Sequence, residues 1–329
     1  MQGKNTVGIV GTGSYLPEKI LNNHDFERMV DTSDEWIFSR TGIRERRIAP
    51  PGTPTSDLCI EAAGNALDMA GLKPDDIDLI IVGTISPDYR FPSTACMVQH
   101  KLGCRQIGAF DVSAACSGFL YGLSIASNYL GNGECKVALV LGAEMLSSLT
   151  NYEDRTSCIL FGDAAGAAIV HSGASNGHII DVTMGSDGSG GDIMIVPSSG
   201  SAMPVSPETV EKKLHKMVIR GREIYKYSVS KVGSIVAEIC EQNDFKVEDL
   251  GMIIPHQMNM RIIEAAAKRL GTPVEKWYAN IERYGNTSAA TIPVALDEVV
   301  RNDLVKRDDL IAMTAFGGGI TWAGGLLRW

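Results

Sequence analysis

Cys116 has the setting best suited to covalent chemistry. It stands in Asp111-Val-Ser-Ala-Ala-Cys-Ser-Gly118, after a strand-like run and at the start of an apolar helix, among small residues that leave room for a substrate. A helix N-terminus carries about half a positive charge and unpaired N–H groups, so it lowers a thiol pKa and offers donors to an oxyanion. The competing reading is a small buried hydrophobe, the usual fate of cysteine. His256 follows a second strand-like run in Ile253-Ile254-Pro255-His256-Gln257-Met258-Asn259, and the other five histidines have surface or loop settings. It is therefore the candidate partner for the thiol, against the alternative of a structural histidine. Asn286, in Tyr284-Gly285-Asn286-Thr287-Ser288, again precedes a helix-like segment, where an isolated Asn reads as an N-cap. All three occupy junctions of the strand-to-helix kind, drawn from both ends of the chain, so they could converge on nucleophilic catalysis through the sulfur.

Charged side chains point to what would bind there. Trp36, Arg40, Arg44, Arg46 and Arg47 put an aromatic face and four cations within twelve positions of an acidic chain, which suits an adenine ring and phosphates. Pairing with Glu35 and Glu45 is the plainer alternative. Arg261 and Lys268 are seven apart, share a helix face with Ala265 and have Arg269 beside them; alone, such a face is solvated surface. Gly11-Thr-Gly13 is not a dinucleotide fingerprint, because Pro17 follows where a helix should begin.

Strand-like runs at 77–82, 107–112 and 137–141 alternate with helix-like stretches at 56–70 and 117–130, and Val7 to Val10 is strand-like. The second half repeats the theme, with strands near 252–254 and 310–314 and helices near 224–242, 259–270 and 288–300. This alternation gives an α/β class. Lys73-Pro-Asp-Asp-Ile-Asp-Leu-Ile-Ile81 aligns without gaps on Lys246-Val-Glu-Asp-Leu-Gly-Met-Ile-Ile254, an offset of about half the chain that favours duplication. The boundary is expected near 172–177, giving halves 1–174 and 175–329, and 185–207 is the most loop-like stretch.

Composition narrows the function classes. Over 329 residues, 44% hydrophobic and 21% charged side chains with 35 glycines describe a globular chain, and exclude disorder, coiled coil and collagen. A net charge of -9 disfavours nucleic acid and anionic membranes as partners. The uncharged run from Val112 to Gly133 is long enough to span a bilayer, but its serines, asparagines and glycines mark a buried core segment. The opening residues run straight into a strand without a signal-peptide pattern, and seven cysteines without a C-x-x-C pair fit neither a disulfide framework nor a zinc site; the expectation is a cytoplasmic protein with free thiols and no metal.

Thr32-Ser-Asp-Glu-Trp-Ile37, Arg40-Thr-Gly-Ile-Arg-Glu-Arg46, Phe110-Asp-Val-Ser-Ala-Ala-Cys-Ser-Gly118, Phe161-Gly-Asp-Ala-Ala-Gly-Ala167, Pro255-His-Gln257, Tyr284-Gly-Asn-Thr-Ser288 and Phe316-Gly-Gly-Gly319 occur in the order found in one family. With these motifs the whole chain resembles the β-ketoacyl-[acyl-carrier-protein] synthase III family, the initiating condensing enzymes of type II fatty-acid synthesis within the thiolase-like superfamily. The resemblance implies a duplicated five-layered αβαβα fold, a homodimer, and condensation of a short acyl-CoA with malonyl-[acyl-carrier-protein] (malonyl-ACP) with loss of CO2, without a cofactor. It implies Cys116, His256 and Asn286 as the triad, and the backbone N–H groups of Cys116 and Gly318 as the oxyanion donors. Thr32, Trp36, Arg40, Arg155, Gly221 and Asn259 would contact CoA, and Lys226, Arg261, Lys268 and Arg269 the carrier protein. Phe91 would close the acyl channel across the dimer. Met258 replaces the alanine usual in Pro-His-Gln-Ala-Asn, which bears on primer preference.

Three alternatives stand beside this reading. A papain-like hydrolase shares the order Cys, His, Asn, but here the cysteine is mid-chain and lacks that family's flanking sequence. A paralogue loading primers for polyketide or secondary-lipid synthesis would use the same triad. A catalytically silent binding subunit would have no need of one.

Overall fold

The computed structural model describes residues 6–329. Among the described residues the main sheet has nine strands: β1 (Val7–Tyr15), β2 (Leu79–Gly83), β3 (Gly108–Val112), β4 (Val137–Met145), β5 (Asp163–Ser172), β6 (His178–Ser186), β7 (Met252–Pro255), β8 (Leu310–Gly317) and β9 (Thr321–Arg328). Their order is β7-β8-β9-β6-β1-β5-β4-β2-β3. In each half a parallel pair (β2 with β4, β7 with β8) is followed by two antiparallel steps, to β5 and β1 or to β9 and β6. The halves join through one residue pair, Gly8 opposite His178.

The longer helices are α1 (Asp34–Thr41), α2 (Thr55–Ala70), α3 (Thr94–Leu102), α4 (Gly118–Gly131), α5 (Gly221–Gln242), α6 (Met260–Leu270) and α7 (Thr291–Arg301). Helices α2 and α3 cover the outer face of the first half, and α5 and α6 that of the second, while α4 and α7 touch strands of both halves between them. The result is the expected α/β/α/β/α layering. The central layer is the main core: Phe119, Leu120 and Leu123 of α4 pack with Ile292, Leu296 and Val299 of α7 and with strands on either side. Every residue of β4 is buried, as a strand covered on both faces requires. The uncharged run 112–133 supplies α4, and among the described residues no helix is long and apolar enough to cross a membrane.

The two aligned segments build the same device. Lys73 N donates to Asp76 Oδ2 and Lys246 N to Asp249 Oδ2, each at 2.8 Å, and each closes a single turn that feeds a strand. The same spacing relates the starts of β2 and β7 (Leu79, Met252), of β4 and β8 (Val137, Leu310), and of α4 and α7 (Gly118, Thr291). It also relates the single turns before α4 and α7, opened by Ala115 and Ser288, which share a left-handed backbone (φ 46° and 48°) that is uncommon outside glycine.

The 174/175 division falls in the turn between β5 and β6, and residues 187–206 hold little regular structure beyond a two-residue strand, Met194–Ile195, paired with Val218–Ile219. Gly11 and Gly13 lie inside β1, where a Cβ would come within 2.3 Å of carbonyl oxygens of α2; they permit close packing.

Candidate active site

Cys116 sits in the turn Ala115–Ser117 between β3 and α4 and is 4% exposed. No side chain caps the start of α4, so its first amides keep their donors. At the end of β8, a Cβ on Gly317 would lie 2.7 Å from Cys116 N and 3.0 Å from Cys116 Cβ. Only glycine lets this strand end press against the nucleophile's backbone, and Gly318 is the next residue. The helix start was expected to lower the thiol pKa. Burial outweighs it and pushes the thiol up to about 12, although the Ser288 hydroxyl and the cysteine's own N–H pull the other way. Cys116 therefore rests as a neutral thiol.

His256 directly follows β7, and its N–H donates to the Thr314 carbonyl at 2.7 Å. Its Nδ1 lies 2.7 Å from Thr291 Oγ1, which is also 2.9 Å from the Ser288 carbonyl. The Thr291 hydroxyl has one proton and two acceptors in reach, the Ser288 carbonyl and Nδ1; in the tautomer where Nδ1 takes it, Nε2 is protonated and free to donate. Nε2 is buried without a partner, and burial lowers the imidazole pKa to about 3, so the ring stays neutral.

Asn286 is pinned by its backbone, its N donating to the Leu160 carbonyl at 2.9 Å and its carbonyl accepting from Gly162 N at 3.1 Å. Gly285 before it has φ 64°, and a Cβ there would stand 2.7 Å from the Leu160 carbonyl oxygen. Asn286 Oδ1 accepts from Ser288 N at 2.8 Å, which leaves the amide Nδ2 to donate elsewhere. Ser288 thus joins Asn286 through its N–H and Thr291 through its carbonyl, its hydroxyl is buried without a partner, and its turn packs against the turn that carries Cys116. The three candidate residues, from both halves, are thereby brought to one buried place. Ser288 and Thr291 were missed, although they lie two and five residues beyond Asn286. Glu144, the single charge within the apolar run of β4, is buried and held by Thr84, Ile85 and Ser86.

A cavity of about 110 Å³ lies beside this place, lined by Phe161, Met194, Gly221, Met258, Asn259 and Asn286 among others. Asn259 caps α6, its Oδ1 accepting from Arg261 N and its Nδ2 donating to the Arg40 carbonyl, each at 2.9 Å, so its amide also ties α6 to α1. Trp36 carries the guanidinium of Arg40 at 4.9 Å and that of Arg155 at 4.7 Å from its ring centre. The Thr32 hydroxyl is buried without a partner.

The four-cation cluster is not formed. Arg46 is fully buried, bound to the Ile159 carbonyl and Asn23 and stacked on Phe26, while Arg44 pairs with Asp34 and Glu282 and Arg47 donates to the Pro17 carbonyl. Adjacent positions on a strand point to opposite faces, and Arg46 takes the inner one. Glu35 and Glu45 pair with none of them. Lys226, Arg261, Lys268 and Arg269 are exposed and make no ion pair among the described residues. Phe91 is 86% exposed. Among the described residues no three His, Cys, Asp or Glu side chains gather as metal ligands.

Two families match: 3-oxoacyl-[acyl-carrier-protein] synthase III over residues 110–188 and its C-terminal counterpart over 240–329. A β-ketoacyl-[acyl-carrier-protein] synthase III of Caldanaerobacter subterraneus subsp. tengcongensis is 52% identical over 326 residues, spanning 99% of this chain and 98% of that protein. The chain belongs to this family. The synthase III of Clostridioides difficile is 47% identical over 98% of each chain. The solved synthase III of Aquifex aeolicus superposes with a TM-score of 0.90 at 45% identity, over 98% of this chain and all of that one. A priming β-ketosynthase of the R1128 polyketide pathway superposes with a TM-score of 0.91 at 33% identity, over 100% and 98%. Family membership and the layered fold remove the papain-like alternative.

Proposed function

We infer that this chain joins a short acyl-CoA to malonyl-ACP, releasing CO2 and CoA and giving 3-oxoacyl-ACP, as the initiating step of fatty-acid synthesis. The observation that carries the reading is the gathering of the three residues in one buried place, with His256 and Asn286 linked through Thr291 and Ser288 and the turn of Cys116 packed against that of Ser288. Cys116 attacks the thioester of acyl-CoA, and the N–H groups of Cys116 and Gly318 hold the oxyanion. In the second half-reaction His256 Nε2–H and Asn286 Nδ2–H donate to the malonyl thioester oxygen, which gains charge as CO2 leaves; the carbanion then attacks the acyl-cysteine. The triad speaks against a silent binding subunit. The 47–52% identity to synthases III, against 33% to the polyketide enzyme, favours the fatty-acid role.

The stacking of Arg40 and Arg155 on Trp36 supports an adenine site there, with Thr32 at its edge and Gly221 and Asn259 along the pantetheine arm. Met258 lines the arm's inner end, and exposed Lys226, Arg261, Lys268 and Arg269 receive the acidic carrier. Phe91 and Tyr89, 86% and 60% exposed, suit burial against a second copy, so the enzyme works as a homodimer in which Phe91 closes the neighbour's acyl channel. Seven free cysteines and CoA substrates fit the cytoplasm, and the reaction as written needs no cofactor or metal.

The test is incubation with a panel of acyl-CoAs, followed by intact and peptide mass. Acetyl to short branched acyl groups should appear on Cys116, be absent in Cys116→Ala, and extend to longer chains in Phe91→Thr. Acylation that persists in Cys116→Ala overturns the reading.

A further inference from the structure

Glu298, on α7, leaves only 14% of its side chain exposed and gathers four side chains of one short segment. Its Oε1 accepts from the Tyr284 hydroxyl at 2.6 Å, and its Oε2 from Asn280 Nδ2 at 2.7 Å and the Tyr278 hydroxyl at 2.9 Å. Arg283 Nη2 stands 3.0 Å from both oxygens. A carboxylate has roughly four lone-pair sites, so this one is filled, and it fixes the groups that reach it. None of these residues has a part in the reaction as read above.

The segment 278–284 runs between the surroundings of His256 and those of Asn286. At one end it is tied to Gln257, the buried neighbour of His256: Asn280 N donates to Gln257 Oε1 at 3.1 Å, and Gln257 Nε2 donates to the Tyr278 carbonyl at 3.1 Å. The same Nε2 donates back to the Pro255 carbonyl at 2.8 Å, so Gln257 grips the chain on both sides of the histidine. At the other end Tyr284 is separated from Asn286 by Gly285 alone. Helix α7 adds a third tie. Thr291, whose hydroxyl lies 2.7 Å from His256 Nδ1, is seven residues before Glu298, about two helical turns, and so shares its face. None of these bonds reaches the turn Ala115–Ser117 that carries Cys116.

We propose that Glu298 is a positioning residue for decarboxylation: by holding segment 278–284 it keeps His256 Nε2 and Asn286 Nδ2 aimed at one oxygen. The proposal rests on the reading of these two groups as the paired donors of the second half-reaction. Two donors serve one developing charge only while both point at it, and a misplacement of about 1 Å made far from the chemistry can cost about 10²-fold in rate. Attack by Cys116 on acyl-CoA draws on backbone N–H groups that the carboxylate does not hold. A carboxylate that served stability alone would, when lost, lower the melting temperature and weaken both half-reactions alike.

The experiment uses Glu298→Gln, which keeps the size and one acceptor oxygen but turns an N–H donor toward groups that themselves donate. Acyl-enzyme formation from acetyl-CoA is read by intact mass, and CO2 release from labelled malonyl-ACP by steady-state kinetics. Acylation should stay within about twofold of the wild type, kcat for CO2 release should fall by about ten- to a hundredfold, and KM for malonyl-ACP should hardly change. Tyr284→Phe removes the donor nearest Asn286 and keeps the carboxylate; it should show the same split at a smaller size, and it decides the matter if Glu298→Gln does not fold. Combined, the two changes should cost little more than Glu298→Gln alone, because the hydroxyl acts through the carboxylate. Unaltered CO2 release in the folded variant, equal loss of acylation and CO2 release, or a loss carried by KM overturns the proposal. Failure of the acyl-transfer reading shows separately, as wild-type protein that neither acylates nor releases CO2, and would take this proposal with it.

Discussion

A histidine that burial keeps neutral can donate from Nε2 at any working pH, but it charges the protein a penalty in acid. The pKa of His256 falls from 6.5 to about 3 on folding, so the folded state resists a proton that the unfolded chain accepts readily. Stability from this residue is complete above pH 6.5 and is lost as pH falls toward 3. His256→Gln should therefore flatten the decline of the urea midpoint between neutral and mildly acidic pH, while abolishing CO2 release. A pH slope equal to that of the wild type would show that His256 is not held neutral. The same residue illustrates what a sequence cannot declare. Its position after a strand marks it as a candidate, yet its tautomer turns on Thr291, whose hydroxyl arrives from α7 at 2.7 Å from Nδ1 and at 2.9 Å from the Ser288 carbonyl.

At the scale of elements, small residues decide how closely the layers approach. A Cβ on Gly142 of β4 would stand 2.1 Å from the Ala289 carbonyl oxygen, in the turn that also carries Ser288. Backbone cannot yield as a flexible side chain can, so Gly142→Ala should displace that turn. We expect a lower melting temperature, by an amount equivalent to about 1–3 kcal/mol, and a condensation rate reduced more than acylation. Unchanged melting and activity would refute the close approach. This packing also explains which elements the sequence announces. β2, β4, β7 and β8 are continuous apolar runs and are legible as buried strands. β5, in Asp163-Ala-Ala-Gly-Ala-Ala, lacks that signature because α7 lies across it, and a Cβ on Gly166 would meet Val294 N at 2.7 Å. β9 is glycine-rich for the same kind of reason, Gly324 standing against Ile235 of α5. Of the site, Cys116, His256 and Asn286 could be picked out by motif. Arg46 could not be separated from Arg40 until the fold buried one on a strand and left the other on α1 over Trp36.

For the whole molecule, charge and duplication matter most. A chain of net charge -9 repels an acidic carrier at long range, so the proposed docking draws on the local basic face of α5 and α6. Arg261→Glu should raise KM for malonyl-ACP, and added salt should weaken the carrier step more than acylation, because exposed charge pairs are screened. Equal losses in both half-reactions would remove the docking role. On the proposed reading the duplication gives each half its own duty: the turn before α4 supplies the nucleophile, and the second half supplies the two donors for decarboxylation. Asn286→Asp tests this division most directly. Asp keeps the acceptor that Asn286 Oδ1 offers to Ser288 N and exchanges the donor Nδ2 for a charged oxygen. Losing one such donor typically costs about 10²–10³ in rate, and a like charge beside a developing enolate costs more. The decisive measurement is acyl-enzyme formation by mass and CO2 release from labelled malonyl-ACP in one preparation of this variant, its fold confirmed by circular dichroism. The account predicts that Cys116 is still acylated while CO2 release collapses; equal loss of both, or normal CO2 release, would contradict it.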